Sequence, residues 1–509
     1  MKAINSTTPQ TVKLKEREIA SDAVNLIRKR AMNFWEKEGN VMALELFKNA
    51  SRKVPAYKEF LKKNNIDVEK INSWSDFKKL PIINKKNYLK QYPFEKLCWN
   101  GNLKKPLVFT STSGSTGEPF YFCRSEELDW QYSIMHELFL KNISSGKAIP
   151  TLVIVCFGMG VWIGGLITYQ SFQLLGQRGY PLSIITPGIN KEEIYKSLTN
   201  LAPHFKQTIL VGYPPFIKDI VDEATQRNIN VKELNIKLMF AAEAFTEKFR
   251  DYLSGKLGIK NPSMETMNIY GSADIGAMAF ESPISILIRR IAVKNPELYA
   301  DLFSNASKMP TLAQYIPDFI TFESVNGEIL LTGDSSIPLI RYSIGDHGGV
   351  FTYNEMIRKM EAHGINLEEE IEKAGIVNYK LPFVYVYERL DQSTTLYGLQ
   401  IYPETIKEVL LEDSFNEILT GKFTLITKYN SNQDQYLEIN LELQKDKVVT
   451  PVFETSLLKS IVDNLLLRNS EYKELYKFIG ERAIPKLVFW HSESPNYFKP
   501  GIKQRWVEK

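Results

Sequence analysis

Apolar residues return every three or four positions through the start of the chain. Ala23, Leu26, Ile27, Ala31, Phe34 and Trp35 fall on one helical face. Helices are therefore predicted within 13–63, followed by connectors and short helices up to 105. At Pro106-Leu107-Val108-Phe109-Thr110 the pattern becomes that of a strand. It breaks at a run of glycine and hydroxyl residues and resumes at Phe120-Tyr121-Phe122-Cys123. Ser125 followed by Glu126 and Glu127 marks a helix start, because acids complement the positive end of the helix dipole. From 150 to 270 the rhythm is strand then helix. Apolar runs at 152–156, 183–185, 208–211, 237–240 and 267–270 alternate with helical patterns near 191–200, 214–227 and 245–256. Such runs predict a parallel sheet covered on both faces, which binds ligands at the carboxyl ends of its strands. Residues 283–318 read as a largely helical insertion, with strands returning at 328–332 and 339–342. Near 389 the character changes. Strands at 395–402, 422–428, 435–443 and 486–490, with helices at 403–411 and 451–467, predict a small α+β domain. The expected fold is α/β, with a large N-terminal domain (1–388) and a small C-terminal domain (389–509).

Composition narrows the function classes. A chain of 509 residues is long for one core. The formal net charge of +4 is small for that length and argues against a dedicated nucleic-acid binder. Cys98, Cys123 and Cys156 are odd in number and far apart, so neither a disulfide framework nor a zinc site is indicated, and a reducing cytoplasm fits. The N-terminal twenty residues lack the apolar core of a signal peptide. Residues 148–177 carry no charge until Arg178, which imitates a membrane span. Pro150 and the glycines at 158, 160, 164, 165 and 176 point instead to a buried strand, a glycine loop and a buried helix.

Five clusters carry candidate chemistry. The loop Thr112-Ser113-Gly114-Ser115-Thr116-Gly117 offers backbone amides and hydroxyls to a phosphate. No Lys-Ser/Thr pair follows, so it is not a Walker loop, and by itself it equally suits a hairpin turn. Downstream, Tyr270 can stack on a purine, Gly271 permits close approach and Asp274 can hold a magnesium ion. Alone, these form an ordinary strand end. Asp346 can accept from vicinal hydroxyls or simply cap a turn. Arg389 and Asp391 fall where the pattern changes, which suits a hinge or a surface ion pair. The basic tail contains Lys499, Lys503 and Arg505.

Taken in order, these clusters resemble the adenylate-forming superfamily of acyl- and aryl-CoA ligases, and within it the phenylacetate–CoA ligase branch with its capsule-biosynthesis relatives. The likeness spans nearly the whole chain. It extends to Val54-Pro55-Ala56-Tyr57-Lys58 and Leu80-Pro81-Ile82-Ile83-Asn84-Lys85 upstream. It also takes in the glycine-aromatic segment from Phe157 to Gly165 and Gly398-Leu399-Gln400-Ile401-Tyr402-Pro403. The resemblance implies ATP-dependent conversion of a hydrophobic carboxylic acid (aryl, arylacetic or fatty) to an acyl-adenylate. The acyl group then passes to coenzyme A, with an amine or a carrier-protein thiol as the alternative acceptor. A non-catalytic nucleotide- or acyl-binding protein on the same scaffold is the rival class. The N-terminal domain would divide into leader helices (13–105), an ATP and acyl core (106–282), the insertion (283–318) and ribose-binding strands (319–388). The C-terminal domain would be a mobile lid.

By the same resemblance, Ser113 to Gly117 would hold the β- and γ-phosphates. Ala242, Glu243, Ala244, Tyr270 and Gly271 would line the adenine site. Asp346 and Arg389 would contact the ribose, Asp391 would be the hinge, and Asp274 would hold Mg²⁺. Phe157, Trp162, Tyr213 and Phe216 would shape the acyl pocket. Lys503, with Lys499 as runner-up, would neutralise the adenylating transition state. The chain departs from the family pattern at Asp274, where Glu is usual, at Glu118, where a lysine often follows the loop, and at Ile502, where the tail lysine normally stands. Dimers are frequent in that branch, although nothing in the residue pattern demonstrates one.

Overall fold

The computed structural model describes residues 20–111, 120–144, 148–303, 309–387, 393–410, 412–498 and 506–508. The leader forms the helices Ala20–Lys29, Met32–Lys53 and Pro55–Lys63, the last opened by a proline whose missing N–H would have had no helical partner. Trp35, Phe47 and Ala50 are buried along the second.

Strands are numbered in chain order. β1 (Val108–Ser111) and β2 (Tyr121–Arg124) make a separate antiparallel pair. Eleven strands form one sheet: β3 (Thr151–Cys156), β4 (Leu182–Ile185), β5 (Gln207–Gly212), β6 (Ile236–Ala241), β7 (Thr266–Ser272), β8 (Gly276–Phe280), β9 (Thr311–Gln314), β10 (Ile320–Val325), β11 (Glu328–Asp334), β12 (Pro338–Phe351) and β13 (Phe383–Tyr387). Their order across the sheet is β10-β11-β12-β13-β9-β8-β7-β6-β5-β3-β4. β4, β3, β5, β6 and β7 run parallel, and from β7 to β10 every neighbour is antiparallel. The parallel half is the one the continuous apolar runs predict. Helices Lys191–Asn200, Pro214–Gln226 and Glu247–Leu257 supply the later crossovers. The segment read as a helical insertion holds helices Pro283–Lys294 and Pro296–Leu302, but it also contributes β9, which lies inside the sheet.

The charge-free stretch at 148–177 resolves into β3, a glycine loop and the 15-residue helix Ile163–Gln177. That helix is about 22 Å long at 1.5 Å per residue. Among the described residues, no helix is long and apolar enough to cross a membrane. All three cysteines are buried free thiols.

Beyond 393 lie the hairpin β14 (Thr394–Leu396) and β15 (Leu399–Ile401) and the strands β16 (Leu419–Tyr429), β17 (Gln435–Leu443), β18 (Lys486–Trp490) and β19 (Val507–Glu508). The last four form a sheet in the order β18-β17-β16-β19, packed by helices Pro403–Leu410, Pro451–Arg468 and Ser470–Ile479. The fold is thus α/β, a large helix-covered sheet followed by a small α+β unit. Ion pairs join the two parts. Lys218 reaches Asp434 at 2.6 Å. Asp219 receives Arg482 at 2.6 Å and the Tyr397 hydroxyl at 3.0 Å. Burial pushes the Asp219 carboxyl up to about 6, and Arg482 opposes that rise.

Candidate active site

A cavity of about 890 Å³ opens at the carboxyl ends of the parallel strands, where β7 turns from a parallel to an antiparallel neighbour. That is the expected place for a ligand in an open α/β sheet, and the volume suits a nucleotide with a small acid.

Its floor is the β7–β8 turn. A Cβ on Gly271 would stand 2.8 Å from the Gly276 carbonyl oxygen, so only glycine allows the hairpin to close here. The turn places Asp274 in a nearly solvent-free position, 1% exposed. Its carboxylate accepts from the Tyr342 hydroxyl at 2.6 Å and pairs with the Lys85 ammonium at 2.9 Å. Lys85 reaches it because the leader docks on β12. Ile83 bridges Tyr342 in parallel, its N–H donating to the Arg341 carbonyl at 3.2 Å while its own carbonyl accepts from Ser343 N–H at 2.8 Å. Asn84 and Asn87 then exchange backbone-to-side-chain hydrogen bonds at 2.7 and 2.8 Å, which turns the chain and projects Lys85 onto the cavity wall. Lys86 and Lys90 line the same wall. Sequence reasoning quoted Lys85 within a motif but gave it no role, and its pairing with Asp274 spans nearly two hundred residues.

Tyr270 and Asp346 also meet here. The tyrosine hydroxyl donates to the Asp346 carboxylate at 2.5 Å. Asp346 follows Gly345, whose φ of +88° lets β12 bend at that point.

Ala242, Glu243 and Ala244 continue from β6 along the wall, with Ala242 held at a φ of +77°. A left-handed alanine is strained, a conformation that surrounding contacts must impose. Asn268 supplies one such contact, donating to the Glu243 carbonyl at 3.0 Å. The Glu243 carboxylate faces the C-terminal part, accepting from the Gly398 N–H and from Gln435 Nε2 at 2.9 Å. Glu243 therefore joins the cavity wall to the small unit.

Tyr397 and Gly398 form the two-residue β14–β15 turn, both at positive φ, as tight hairpins require. A Cβ on Gly398 would fall 2.3 Å from the Tyr213 ring. Gly398→Ala is expected to destabilise the junction by about 1–2 kcal/mol through backbone strain alone, with the clash adding to it. Limited proteolysis between the large sheet and the small unit should then accelerate. A proteolysis rate and melting profile equal to the parent would show that the junction does not depend on this contact.

Phe157, Trp162 and Tyr213 line the cavity, the first and last in edge-to-face contact at 4.8 Å. Phe216 sits in the first turn of helix Pro214–Gln226, fully buried in the core, and is not on the wall. The loop 112–117, Arg389, Asp391, Lys499 and Lys503 lie outside the described residues. Ser111 and Phe120, which flank that loop, both line the cavity, as does Tyr387, just before 388. Phe498 and Trp506, which flank the tail lysines, do not. Among the described residues no group of three or more His, Cys, Asp or Glu side chains could hold a metal.

No family model and no curated protein matches the chain. Solved structures do. A 2-hydroxyisobutyryl-CoA ligase in complex with 2-HIB-AMP and CoA in the thioesterification state superposes with a TM-score of 0.62 at 15% identity, covering 94% of this chain and 90% of its own. The same ligase in the postadenylation state with R3-HIB-AMP gives 0.51 at 14% identity over 95% and 90%. An open conformation of that ligase with 2-HIB-AMP and CoA gives 0.50 at 14% identity over 92% and 90%. The chain has the fold of these adenylate-forming acyl-CoA ligases along nearly its whole length.

Proposed function

We propose that the protein activates a hydrophobic carboxylic acid with ATP, forming an acyl-adenylate and pyrophosphate, and passes the acyl group to the thiol of coenzyme A with release of AMP. The observation that carries this reading is the cavity itself. The predicted phosphate loop is bracketed on its wall by Ser111 and Phe120. Tyr270, Asp346 and the Lys85–Asp274 pair stand on the same wall, in a fold shared with acyl-CoA ligases. Catalysis would rest on positioning and on fixed charge. Residues 113–117 would hold the β- and γ-phosphates, Tyr270 with residues 242–244 the adenine, and Asp346 with Arg389 the ribose. Lys85 adds a cation that the motif reading left without a role. Mg²⁺ would have one carboxylate, Asp274, already engaged by Tyr342 and Lys85, so phosphate oxygens would supply most of its ligands.

Lys503 or Lys499 would assist adenylation. Asp391 would be the hinge on which the C-terminal part moves between half-reactions. Two observations support the acceptor-facing pose for that part. The superposition is better on the thioesterification state than on the postadenylation state of one ligase. The wall also receives Gly398, Gln400 and Glu471 rather than the flanks of the tail. Phe157, Trp162 and Tyr213 favour an aromatic or bulky acid, as in the phenylacetate-type branch.

The test is acid-dependent exchange of pyrophosphate into ATP with aryl, arylacetic, fatty and short 2-hydroxy acids, followed by thioester detection with coenzyme A. Exchange with at least one aryl or arylacetic acid is expected. Folded protein that exchanges with none of them contradicts the proposal. Exchange without a coenzyme A thioester moves the acceptor to an amine or a carrier-protein thiol.

A further inference from the structure

The reading above gives the Glu471 carboxylate no chemical role. It is the second residue of helix Ser470–Ile479. Asn469 caps that helix, accepting from Tyr472 N–H at 2.9 Å and donating to the Gln400 carbonyl at 3.1 Å. These bonds fix the helix start against β15, and Glu471 lies on the cavity wall with Tyr213, Gly398, Gln400 and Tyr402. Among the described residues it has no hydrogen-bond or ion-pair partner. The side chain is half-buried and open to the cavity, so this unpaired carboxylate is placed to meet a bound ligand.

The helix N-terminus favours the charged form, but burial outweighs it and pushes the carboxyl up to about 7. The neighbouring titratable groups do not reverse this. Burial raises the Tyr213 hydroxyl well above its ordinary value, which keeps it neutral. Glu243 is engaged by Gly398 and Gln435. Arg468, at the end of the preceding helix, pairs with Glu408 at 3.2 Å in a largely exposed position.

Resting on the adenylation reading, we propose that Glu471 is the catalytic base of the second half-reaction, taking the proton from the incoming thiol. In that step the S–H bond breaks and its proton passes to the Glu471 carboxylate. The sulfur electron pair forms the C–S bond at the acyl carbonyl carbon. The bond from that carbon to the phosphate oxygen breaks, and AMP leaves with the electron pair. Glu471 then releases the proton to water. The C-terminal part supplies this carboxylate on the Tyr213 side of the cavity, beside the Phe157–Tyr213 ring pair proposed for the acyl group. A base that titrates near neutrality is well matched to a thiol, since a large fraction of it is ionised near neutral pH and it is still basic enough to accept the proton.

The experiment uses the full chain, an acid that supports pyrophosphate exchange, and coenzyme A as the thiol. Acyl-adenylate is formed on the enzyme and its transfer followed in a single turnover. Glu471→Gln is expected to leave exchange near the parent rate and to slow transfer about 10²–10⁴-fold, the usual worth of a general base. Parent transfer should rise with pH through an inflection near 7 that the Gln variant lacks. A merely structural role would not remove that inflection. Glu471→Asp, which keeps the carboxylate, should recover part of the rate and the inflection, and this guards against a Gln variant that misfolds. Normal exchange in Glu471→Gln with unchanged transfer rate and pH profile overturns the assignment and leaves the adenylation reading standing. Exchange in the parent without any transfer to coenzyme A also overturns it. No exchange in the parent with any acid removes the adenylation reading and this one together.

Discussion

Asp274→Asn is expected to lower acid-dependent pyrophosphate exchange about 10²–10³-fold, the usual cost of losing one preorganised electrostatic contact. Asparagine keeps the size of the side chain and can still accept from Tyr342, so the turn should survive. The charge that orients Lys85 is lost. Asn at 274 leaves no buried charge behind, and Lys85, 31% exposed on its side chain, stays solvated, so the effect should fall on activity. Lys85→Met should cause a comparable loss. The double variant should be little worse than either single one, because each removes the same unit. Asp274→Ala, by contrast, would also remove a charged acceptor from the Tyr342 hydroxyl, at about 1.5–3 kcal/mol. Undiminished exchange in both single variants would remove the pair from the reaction.

The largest loss of stability is expected from Glu281→Ala. Glu281 directly follows β8 and is 1% exposed, beside Arg250 at 1% and Arg289 at 0%. One carboxylate oxygen pairs with Arg289 and the other with Arg250 at 2.7 Å. Arg250 also binds Glu247 at 3.0 Å and donates to Thr266 at 2.6 Å, and Arg289 donates to the Phe245 carbonyl at 2.6 Å. Burial alone would raise Glu247, but the three surrounding arginines outweigh it and hold its carboxyl below the usual range. Alanine at 281 would leave two buried guanidinium groups with reduced compensation, at a cost of about 3–5 kcal/mol. Arg290→Ala, at a partly exposed position, should cost under about 1 kcal/mol. Denaturant titration of the full chain distinguishes the two, and a Glu281→Ala loss no larger than the Arg290→Ala loss would contradict this account. The cluster also bears on the site. Phe245 follows the 242–244 wall, so Arg289 holds that wall in place from behind.

The sequence was most informative where one residue's neighbours decide its environment. The strands β3 to β7 are uninterrupted apolar runs because helices cover both faces, and composition alone marks them. β9 escaped notice because it is four residues long and includes Gln314. That side chain is buried, and its amide nitrogen donates to the carbonyls of Tyr379 and Leu381, both more than sixty residues away. Arg289 and Arg290 belong to the segment read as a helical insertion, and nothing local to them marks Arg289 as fully buried. Their counterions, Glu247 and Glu281, lie outside that segment and can be found only in the folded chain. The site divides the same way. Tyr270, Asp274 and Asp346 stand in recognisable local patterns. Lys85 depends on the Ile83–Tyr342 bridge, and Glu471 looks like any acid in a helix first turn.

That bridge bears on how the protein can be dissected. The eleven-stranded sheet takes all its strands from residues after 150, so a fragment lacking the leader could retain the whole sheet. Such a fragment would nevertheless lose the lysine that answers Asp274, and with it the backbone pairing that orders Arg341 and Ser343 along β12. The smallest unit that preserves this charge pair therefore begins upstream of Leu80. The leader is part of the cavity wall and not merely a preface to the sheet.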